Sequence, residues 1–238
     1  MRVSERLFRR MVRDVDDQHR AAMVAFEEDQ RGILSDAVDR RRFLVGATVG
    51  GAALAVTAST IQLPGFRGVA RAQTPSAKDL AIYAASIELV AVKAYDVAAK
   101  SGLVTTKAIG DAAVAFMGHH QEHANAFARI AGMQPTAIKE NPKLLAEVVT
   151  AAGGLESEKD ALKLAFDLEN AAAATYLFAL GVLEDIPAIG LMSSILPIES
   201  AHAVVLGNAL GLTPDAADYL PGLESDSKKL DPATYPVG

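Results

Sequence analysis

The sequence predicts an all-α protein, built as an antiparallel four-helix bundle with a long crossover between two helical hairpins. Half of the 238 residues are apolar, which is enough for one sizeable core, and only 5% are aromatic. Alanine-rich segments separated by glycine and proline recur along the chain, and this composition favours helices over sheets. The main helices are expected at 77–100, 106–131, 158–183 and 188–210, with a shorter one near 142–151.

Glycine and proline mark the boundaries of these helices. Thr74-Pro75-Ser76 precedes the first one and is typical of a helix start. The segment between Gly132 and Ser157 is long enough to serve as the crossover between the hairpins. The predicted stops are Ser101-Gly102, Gly132 with Pro135, Gly153-Gly154, and Gly211 with Pro214.

Charge and cysteine content exclude several classes of function. The chain has no cysteine, so disulfide frameworks, cysteine nucleophiles and thiolate metal sites are ruled out, and histidine and carboxylates remain as metal ligands. The net charge is -6, and residues 73–238 contain twenty acidic residues but a single arginine, Arg129. So acidic a body is a poor match for a phosphate backbone, and no nucleic-acid partner is expected.

The amino-terminal segment resembles a twin-arginine signal peptide. Asp39-Arg40-Arg41-Arg42-Phe43-Leu44 is followed by an uncharged stretch that reaches Phe66, and Ala70-Arg71-Ala72 has the small-x-small pattern of a cleavage site. Asp39 stands where the family usually has serine or threonine, and Val45 stands where lysine is common. The resemblance implies export of the folded body by the twin-arginine machinery, with cleavage after Ala72.

This resemblance also divides the chain into parts. They are a basic n-region at 1–42, an apolar region with the cleavage site at 43–72, the bundle at 73–214 and an extended C-terminal tail at 215–238. Within the first part, residues 1–38 are expected to form a solvated amphipathic helix. The body is then periplasmic or extracellular, and only the signal segment meets the membrane. The alternative is an uncleaved anchor that holds the body on the outer side of the cytoplasmic membrane.

The body contains an internal repeat. The first half carries Glu88, Tyr95, His123, Gly132 and Pro135, and the second half carries Glu169, Tyr176, His202, Gly211 and Pro214. In this order, the first two pairs are 81 residues apart and the other three pairs are 79 residues apart. Two hairpins with the same landmarks indicate a bundle with pseudo-twofold symmetry.

Each predicted helix places at least one ionisable side chain on its apolar stripe. Burying a carboxylate without a partner costs several kcal/mol, so three carboxylates and three imidazoles at one bundle axis need a cation between them. A divalent metal meets that need, because ionised carboxylates and neutral imidazoles are its ligands. The residues concerned are Glu88, His120, His123, Glu169, Glu199 and His202.

These residues resemble the ferritin-like superfamily and, more narrowly, the ferritin-like domains that bacteria export. Such bundles take one glutamate from each of two helices and a Glu-x-x-His pair from each of the other two. Glu199-Ser200-Ala201-His202 matches the pair, Glu88 and Glu169 match the single glutamates, and the resemblance covers about residues 77–212. His120-Gln121-Glu122-His123 departs from it, since a histidine replaces the first glutamate. An asymmetric or single-metal site is therefore an alternative to a dinuclear one.

The resemblance implies a role for each residue. Glu88 and Glu169 are terminal ligands, Glu199 is the bridging carboxylate, His123 and His202 are nitrogen ligands, and His120 is a replacement ligand. His119 and Glu122 are expected beside the site on adjacent helix faces. Tyr95 and Tyr176 are expected in the core, with a hydrogen bond to the site or a redox role as the alternative.

The implied function is that of an exported non-haem metalloprotein with one or two iron or manganese ions. Its partners are then metal ions and dioxygen or peroxide, and the implied activity is that of a ferroxidase-type oxidoreductase or an oxidative-stress protein. One alternative is a non-enzymatic envelope or stress protein with a degenerate metal site. Another is a carboxylate-bridged oxygenase with an organic substrate. An oligomer is compatible with the sequence, whereas a hollow storage shell is not expected.

Overall fold

The computed structural model of the protein describes residues 3–47, 76–212 and 228–237. These residues form six α-helices and no strand, so the all-α prediction is confirmed, and the helices of the body begin and end within three residues of their predicted positions. The helices are α1 (Glu5–Ala47), α2 (Ala77–Lys100), α3 (Lys107–Ile130), α4 (Pro142–Gly153), α5 (Glu158–Leu180) and α6 (Ile186–Leu210), with a 3₁₀ turn at Pro135–Ala137.

Side-chain caps explain where four of the five α-helices of the body begin, the exception being α3. The hydroxyl of Ser76 accepts a hydrogen bond from the backbone N–H of Asp79, whose carboxylate accepts one from the N–H of Ser76, so α2 starts with a complete capping box. At the start of α4, α5 and α6, the side chains of Asn141, Ser157 and Asp185 each accept one hydrogen bond from a backbone N–H of the first turn. Each cap satisfies a backbone donor that the first helical turn leaves without a partner.

The repeat in the sequence produces the same helix end twice. Gly132 follows α3 with a φ of 67°, and Gly211 follows α6 with a φ of 77°. Both values lie in the left-handed region, which glycine adopts without the steric cost that a Cβ atom brings. The 79-residue offset between the two glycines therefore corresponds to one structural landmark used in both hairpins.

The four long helices of the body form two hairpins. Short loops at 101–106 and 181–185 join α2 to α3 and α5 to α6, and the helices of each pair pack along their length. Between the hairpins, Tyr95 meets Glu169 and Tyr176 meets Glu88, so residue numbers rise along α2 as they fall along α5. Helices α2 and α5 are thus antiparallel, and the segment 131–157 is the crossover between the hairpins.

The crossover and the end of the chain cover the outside of α2. In α4, Leu144 and Val148 pack against Tyr83, Ile87 and Val90 of α2. Residues 228–237 of the predicted tail lie on the same side, where the carbonyl of Leu230 accepts a hydrogen bond from the Tyr83 hydroxyl. Residues 215–227 of that tail lie outside the described residues, as do the uncharged stretch from Thr48 onward and the predicted cleavage site after Ala72.

Helix α1 packs against α3 and α6 as a fifth long helix. One face of it is buried, with Phe8 fully inaccessible and Val15, His19 and Phe26 between 3% and 5% exposed. The opposite face carries arginine and carboxylate pairs at i,i+4 spacing, such as Arg10 with Asp14. The helix is therefore amphipathic as expected, but it is not simply solvated, because its apolar face completes the core of the body.

Helix α6 is, among the described residues, the one helix long and apolar enough to cross a membrane by length and composition. Half of its most apolar window is buried inside the bundle. It also carries Glu199 and His202, which are both fully buried. Its apolar character is thus accounted for by its position in the core, where it contacts α1, α3 and α5.

Candidate metal centre

The structure brings all six sequence-predicted ligands together in the middle of the bundle. None of them is more than 2% exposed. They form two groups of four, and within each group one candidate ligand atom from every residue lies within 4.8 Å of the others. The first group is Glu88, His120, His123 and Glu199, and the second is Glu169, His202, Glu199 and His120.

The two groups are related by the repeat in the sequence. Adding the repeat offset to Glu88, His120 and His123 gives Glu169, Glu199 and His202, so each member of one group has its counterpart in the other. The shared residues, His120 and Glu199, are counterparts of each other. The centre is therefore pseudo-symmetric in position but asymmetric in chemistry, with an imidazole on one side of the axis and a carboxylate on the other.

His120 lies between the carboxylates of Glu88 and Glu169. Its Nδ1 lies 2.7 Å from Oε2 of Glu88, and its Nε2 lies 3.1 Å from Oε1 of Glu169. On the other side of the centre, Nδ1 of His202 lies 3.2 Å from Oε2 of Glu169. These contacts connect all four long helices of the body through one buried network.

Several polar atoms at the centre have no hydrogen-bond partner. Both carboxylate oxygens of Glu199 and both ring nitrogens of His123 are buried in this state. Nδ1 of His123 is 2.9 Å from Oε1 of Glu199, but the two groups are not aligned for a hydrogen bond. An ionised carboxylate without a donor is costly in a protein interior. A metal ion accepts lone pairs from these groups, so the residues present fit the metal that the sequence implies.

Protons partly balance the charge of the centre. Burial acts to lower the pKa of His120, but the carboxylates of Glu199 and Glu169 outweigh it and raise that pKa well above its usual range. Burial is likewise outweighed at His123, where Glu88 and Glu199 raise the pKa to about 9. For Glu88, His123 and His120 overcome burial and lower the pKa to about 2. The Glu88 carboxylate is therefore ionised at neutral pH and faces cationic imidazoles.

The two repeat tyrosines hydrogen-bond to glutamates across the bundle. The hydroxyl of Tyr95 on α2 donates to Glu169 on α5, and that of Tyr176 on α5 donates to Glu88 on α2. All four side chains are buried. Of the two expectations for the tyrosines, the structure therefore supports the hydrogen bond to the site, since each hydroxyl fixes the orientation of one of these carboxylates.

The site continues outward through His119 to helix α1. Nδ1 of His119 lies 2.9 Å from Nε2 of His202, and its Nε2 lies 3.1 Å from Oδ1 of Asp16 on α1. Burial, together with the neighbouring His202, lowers the pKa of His119 to about 4, so the ring is neutral at pH 7. Glu122 is largely exposed and reaches only His19, at 3.8 Å. His119 and Glu122 belong to neither ligand group.

His19 is a member of this cluster that sequence reasoning missed. Its ring stacks on that of His119 with centroids 3.9 Å apart, and it lies 5.0 Å from that of His123. All five histidines of the chain are therefore in one connected cluster. His19 was overlooked because its segment was assigned to the signal peptide. Its spacing of four from Val15 and seven from Phe26, on one helix face, is the signal that could have placed it in the core.

A narrow cavity reaches the centre between α2 and α5. The volume that a water-sized molecule can occupy is only about 20 Å³, and Glu88, His120 and Glu169 contribute to the walls of the cavity. The rest of the lining is mostly apolar and includes Leu144 of α4 and Leu230 of the tail. Such a lining admits a small apolar molecule more readily than a charged or bulky one.

Two helical hairpins around a buried cluster of carboxylates and imidazoles define the class of four-helix bundles with a core that could hold a metal ion. Residues 76–212, more than half of the chain, match the family model for the ferritin-like domain. The chain belongs to this family, as its motifs indicate. No curated protein and no solved structure gives a significant match to it.

Proposed function

We propose that the protein is an exported metalloprotein that binds iron or manganese at this centre and uses it with dioxygen or peroxide, in a ferroxidase or oxidative-stress role. One observation carries the proposal: two buried ligand groups share His120 and Glu199, and neither oxygen of Glu199 has a hydrogen-bond donor. Carboxylates combined with imidazoles suit iron and manganese. A bound ion supplies the redox chemistry, and the protein supplies binding, orientation and access.

The residues of the chain have distinct roles in this proposal. Glu88 and Glu169 are terminal ligands whose orientation the tyrosines set, Glu199 is placed between the two groups to bridge, and His120, His123 and His202 provide nitrogen ligands. With three ionised carboxylates, one divalent ion leaves a net charge of about −1 and two divalent ions leave about +1. The imbalance is equally small in both cases, so both stoichiometries are compatible with the site. The apolar cavity favours a small oxidant over a bulky organic substrate.

A second function is favoured by the contacts of His120. Its two nitrogens join Glu88 and Glu169, and the raised pKa of this imidazole allows it to neutralise them without a metal. The protein is then a non-enzymatic envelope or stress protein that keeps the fold with a degenerate site. The two functions differ in a single measurable property, namely the affinity of the centre for metal.

Metal analysis of the full chain tests the proposal. We expect iron or manganese at about one or two ions per chain, and we expect loss of that metal in Glu199→Gln, which keeps the shape of the side chain but removes its charge. Glu122→Gln is the matched control, because that carboxylate lies beside the site yet is largely exposed. Metal-free protein with no gain in thermal stability on adding Fe(II) or Mn(II) supports the second function instead, since binding to the native state raises its stability.

Export is a separate part of the proposal and rests on the sequence alone. Arg40 and Arg41 take the positions of the paired arginines of a twin-arginine signal, while Arg42 takes the variable position that follows. Replacing Arg40 and Arg41 by lysine should retain the protein in the cytoplasm, and Arg42→Lys should leave export unchanged. Fractionation of cells that express each form is the measurement, and equal export of all three forms contradicts this part.

A further inference from the structure

Helix α1 reaches the candidate metal centre through a chain of three side chains. Asp16 on α1 contacts Nε2 of His119 at 3.1 Å, and Nδ1 of His119 contacts Nε2 of His202 at 2.9 Å. The other nitrogen of His202, Nδ1, faces Glu169 at 3.2 Å and Glu199 at 3.5 Å. These contacts therefore connect Asp16 on α1 to His202, a member of the second ligand group, whose Nδ1 faces the carboxylates.

The chemistry of these groups determines the direction of each hydrogen bond. An ionised carboxylate only accepts, so the proton between Asp16 and His119 sits on Nε2 of His119. A neutral imidazole carries one proton, which leaves Nδ1 of His119 as an acceptor. That atom must then accept from His202, so Nε2 of His202 carries a proton. A neutral His202 consequently has its free lone pair on Nδ1, on the side of the carboxylates.

We propose that Asp16 and His119 are positioning residues, which hold His202 with Nε2 as the donor and Nδ1 directed at Glu169 and Glu199 as the metal ligand. Metal-binding histidines usually donate their second N–H to a carboxylate, a carbonyl or water. Here a second imidazole takes that place and an acidic residue in turn orients it. The inference rests on the proposed function to the extent that a metal is expected at Nδ1.

Packing around His119 supports this arrangement. The ring is stacked against His19 of α1 with centroids 3.9 Å apart. Its plane is only 13° from that of His202, so the hydrogen bond between the two rings lies near their common plane. A ring stacked on one face and hydrogen-bonded at both nitrogens cannot rotate without breaking these contacts. Helix α1 therefore supplies both the acceptor, through Asp16, and the clamp, through His19. Both residues lie upstream of the predicted cleavage site, so the inference applies to the uncleaved chain, in which α1 packs against α3 and α6.

The first test needs no metal. In the full chain labelled with ¹⁵N-histidine, NMR should detect a scalar coupling across the N–H···N bond, with the proton on Nε2 of His202 and Nδ1 of His119 as the acceptor. In Asp16→Ala the proton on His119 is no longer directed to Nε2, so this coupling should weaken or disappear. Asp17→Ala is the matched control, because Asp17 also pairs with Arg20 but does not reach His119. A proton found on Nδ1 of His119, donated toward His202, overturns the proposal.

The second test measures Fe(II) affinity of the full chain by calorimetry under argon. We expect Asp16→Ala to bind Fe(II) about 10-fold more weakly and His119→Phe, which keeps a stacked ring, about 10 to 100-fold more weakly. Asp16→Glu, which retains an acceptor without a donor, should restore most of the affinity, and Asp17→Ala should match the unmodified chain.

The outcomes separate this inference from the proposed function. If the unmodified chain binds Fe(II) and the Asp16 and His119 variants bind it equally well, the inference is wrong and the proposed function stands. If the unmodified chain binds neither Fe(II) nor Mn(II), the proposed function is wrong. The NMR coupling then decides by itself whether Asp16 and His119 orient His202.

Discussion

The hydroxyl of Tyr95 donates a hydrogen bond to Oε1 of Glu169, a residue on the helix opposite its own. The repeat counterparts are joined in the reciprocal way, with Tyr176 donating to Glu88. Each helix thus carries a glutamate and, seven residues later, the tyrosine that serves the glutamate of its partner. This reciprocal arrangement follows from the antiparallel packing of α2 and α5. It fixes the orientation of the Glu88 and Glu169 carboxylates.

Removing one of these hydroxyls should destabilise the metal-free protein. In Tyr176→Phe the buried Glu88 carboxylate loses a donor, and a hydrogen bond to a charged group contributes about 1.5–3 kcal/mol. Tyr83→Phe is the matched control, because that hydroxyl donates to the neutral carbonyl of Leu230 and its loss should cost about 0.5–1.5 kcal/mol. Denaturant unfolding measures both. Equal losses would show that the charge on Glu88 has no part in the interaction.

Metal binding should release protons and weaken as the pH falls. The pKa of His123 in the metal-free protein is raised to about 9, with burial overcome by Glu88 and Glu199, so the ring is protonated at neutral pH and must lose its proton to bind a metal. His202 shifts in the same direction because Glu169 outweighs its burial. Calorimetry of Mn(II) binding in buffers of different ionisation enthalpy counts the protons released. A pH-independent affinity between pH 6 and 9 contradicts this prediction.

Stability of the metal-free protein should fall as the pH drops from about 6.5 toward 4.5. Burial and the nearby His119 and His123 lower the pKa of His19 to about 2, whereas the unfolded chain has a value near 6.5. A base with a lowered folded pKa contributes stability that is complete above the unfolded value and is lost as the pH falls below it. The raised imidazoles keep their full contribution in this window. The carboxylates Glu88 and Glu169, whose folded pKa values are lowered, lose theirs only as the pH falls below about 4.5.

A variant of His19 measures how much of this pH dependence of stability comes from that residue. His19→Phe keeps a ring that can stack on His119 but cannot take up a proton, so its stability should decline less between pH 6.5 and 4.5. His119 also has a lowered pKa, caused by burial and by His202, so part of the slope should remain. Thermal unfolding at a series of pH values makes the comparison. An unchanged slope would mean that His19 is solvated rather than packed against the body.

Two neighbouring residues of α1 test whether this helix is part of the folded core. Phe8 is fully buried against the body, whereas Leu7 is 45% exposed. Phe8→Ala should therefore cost about 3–5 kcal/mol of unfolding free energy. Leu7→Ala should remain within about 0.5 kcal/mol of the unmodified chain. Denaturant unfolding of the full chain checks both values, and a small effect of Phe8→Ala would place α1 outside the cooperative unit.

Much of the body could be predicted because its information is local. Alanine-rich segments with Ser76, Asn141 or Ser157 before them and glycine after them define helices by propensity and capping, which act within one or two turns. The 3.6-residue period then assigned Glu88, His120, His123, Glu169, Glu199 and His202 to apolar faces. All six meet in the structure because four amphipathic helices have one common interior in which to bury those faces.

The position of α1 could not be predicted in the same way. Val15, His19 and Phe26 form an apolar stripe, but a stripe specifies neither the surface it covers nor whether it covers one. The contact of His19 with His119 joins residues one hundred positions apart, and no periodicity within either helix encodes such a pairing.

The sequence by itself determined the helices, the repeat, the family and the set of buried acidic and imidazole side chains, because each depends on neighbours within a few turns or on matching motifs. Only the tertiary structure decided that each tyrosine serves the opposite glutamate, that His120 and Glu199 are shared, and that Asp16 reaches His202 through His119. Those relationships depend on the direction and rotation of one helix against another. Packing of the whole core sets both.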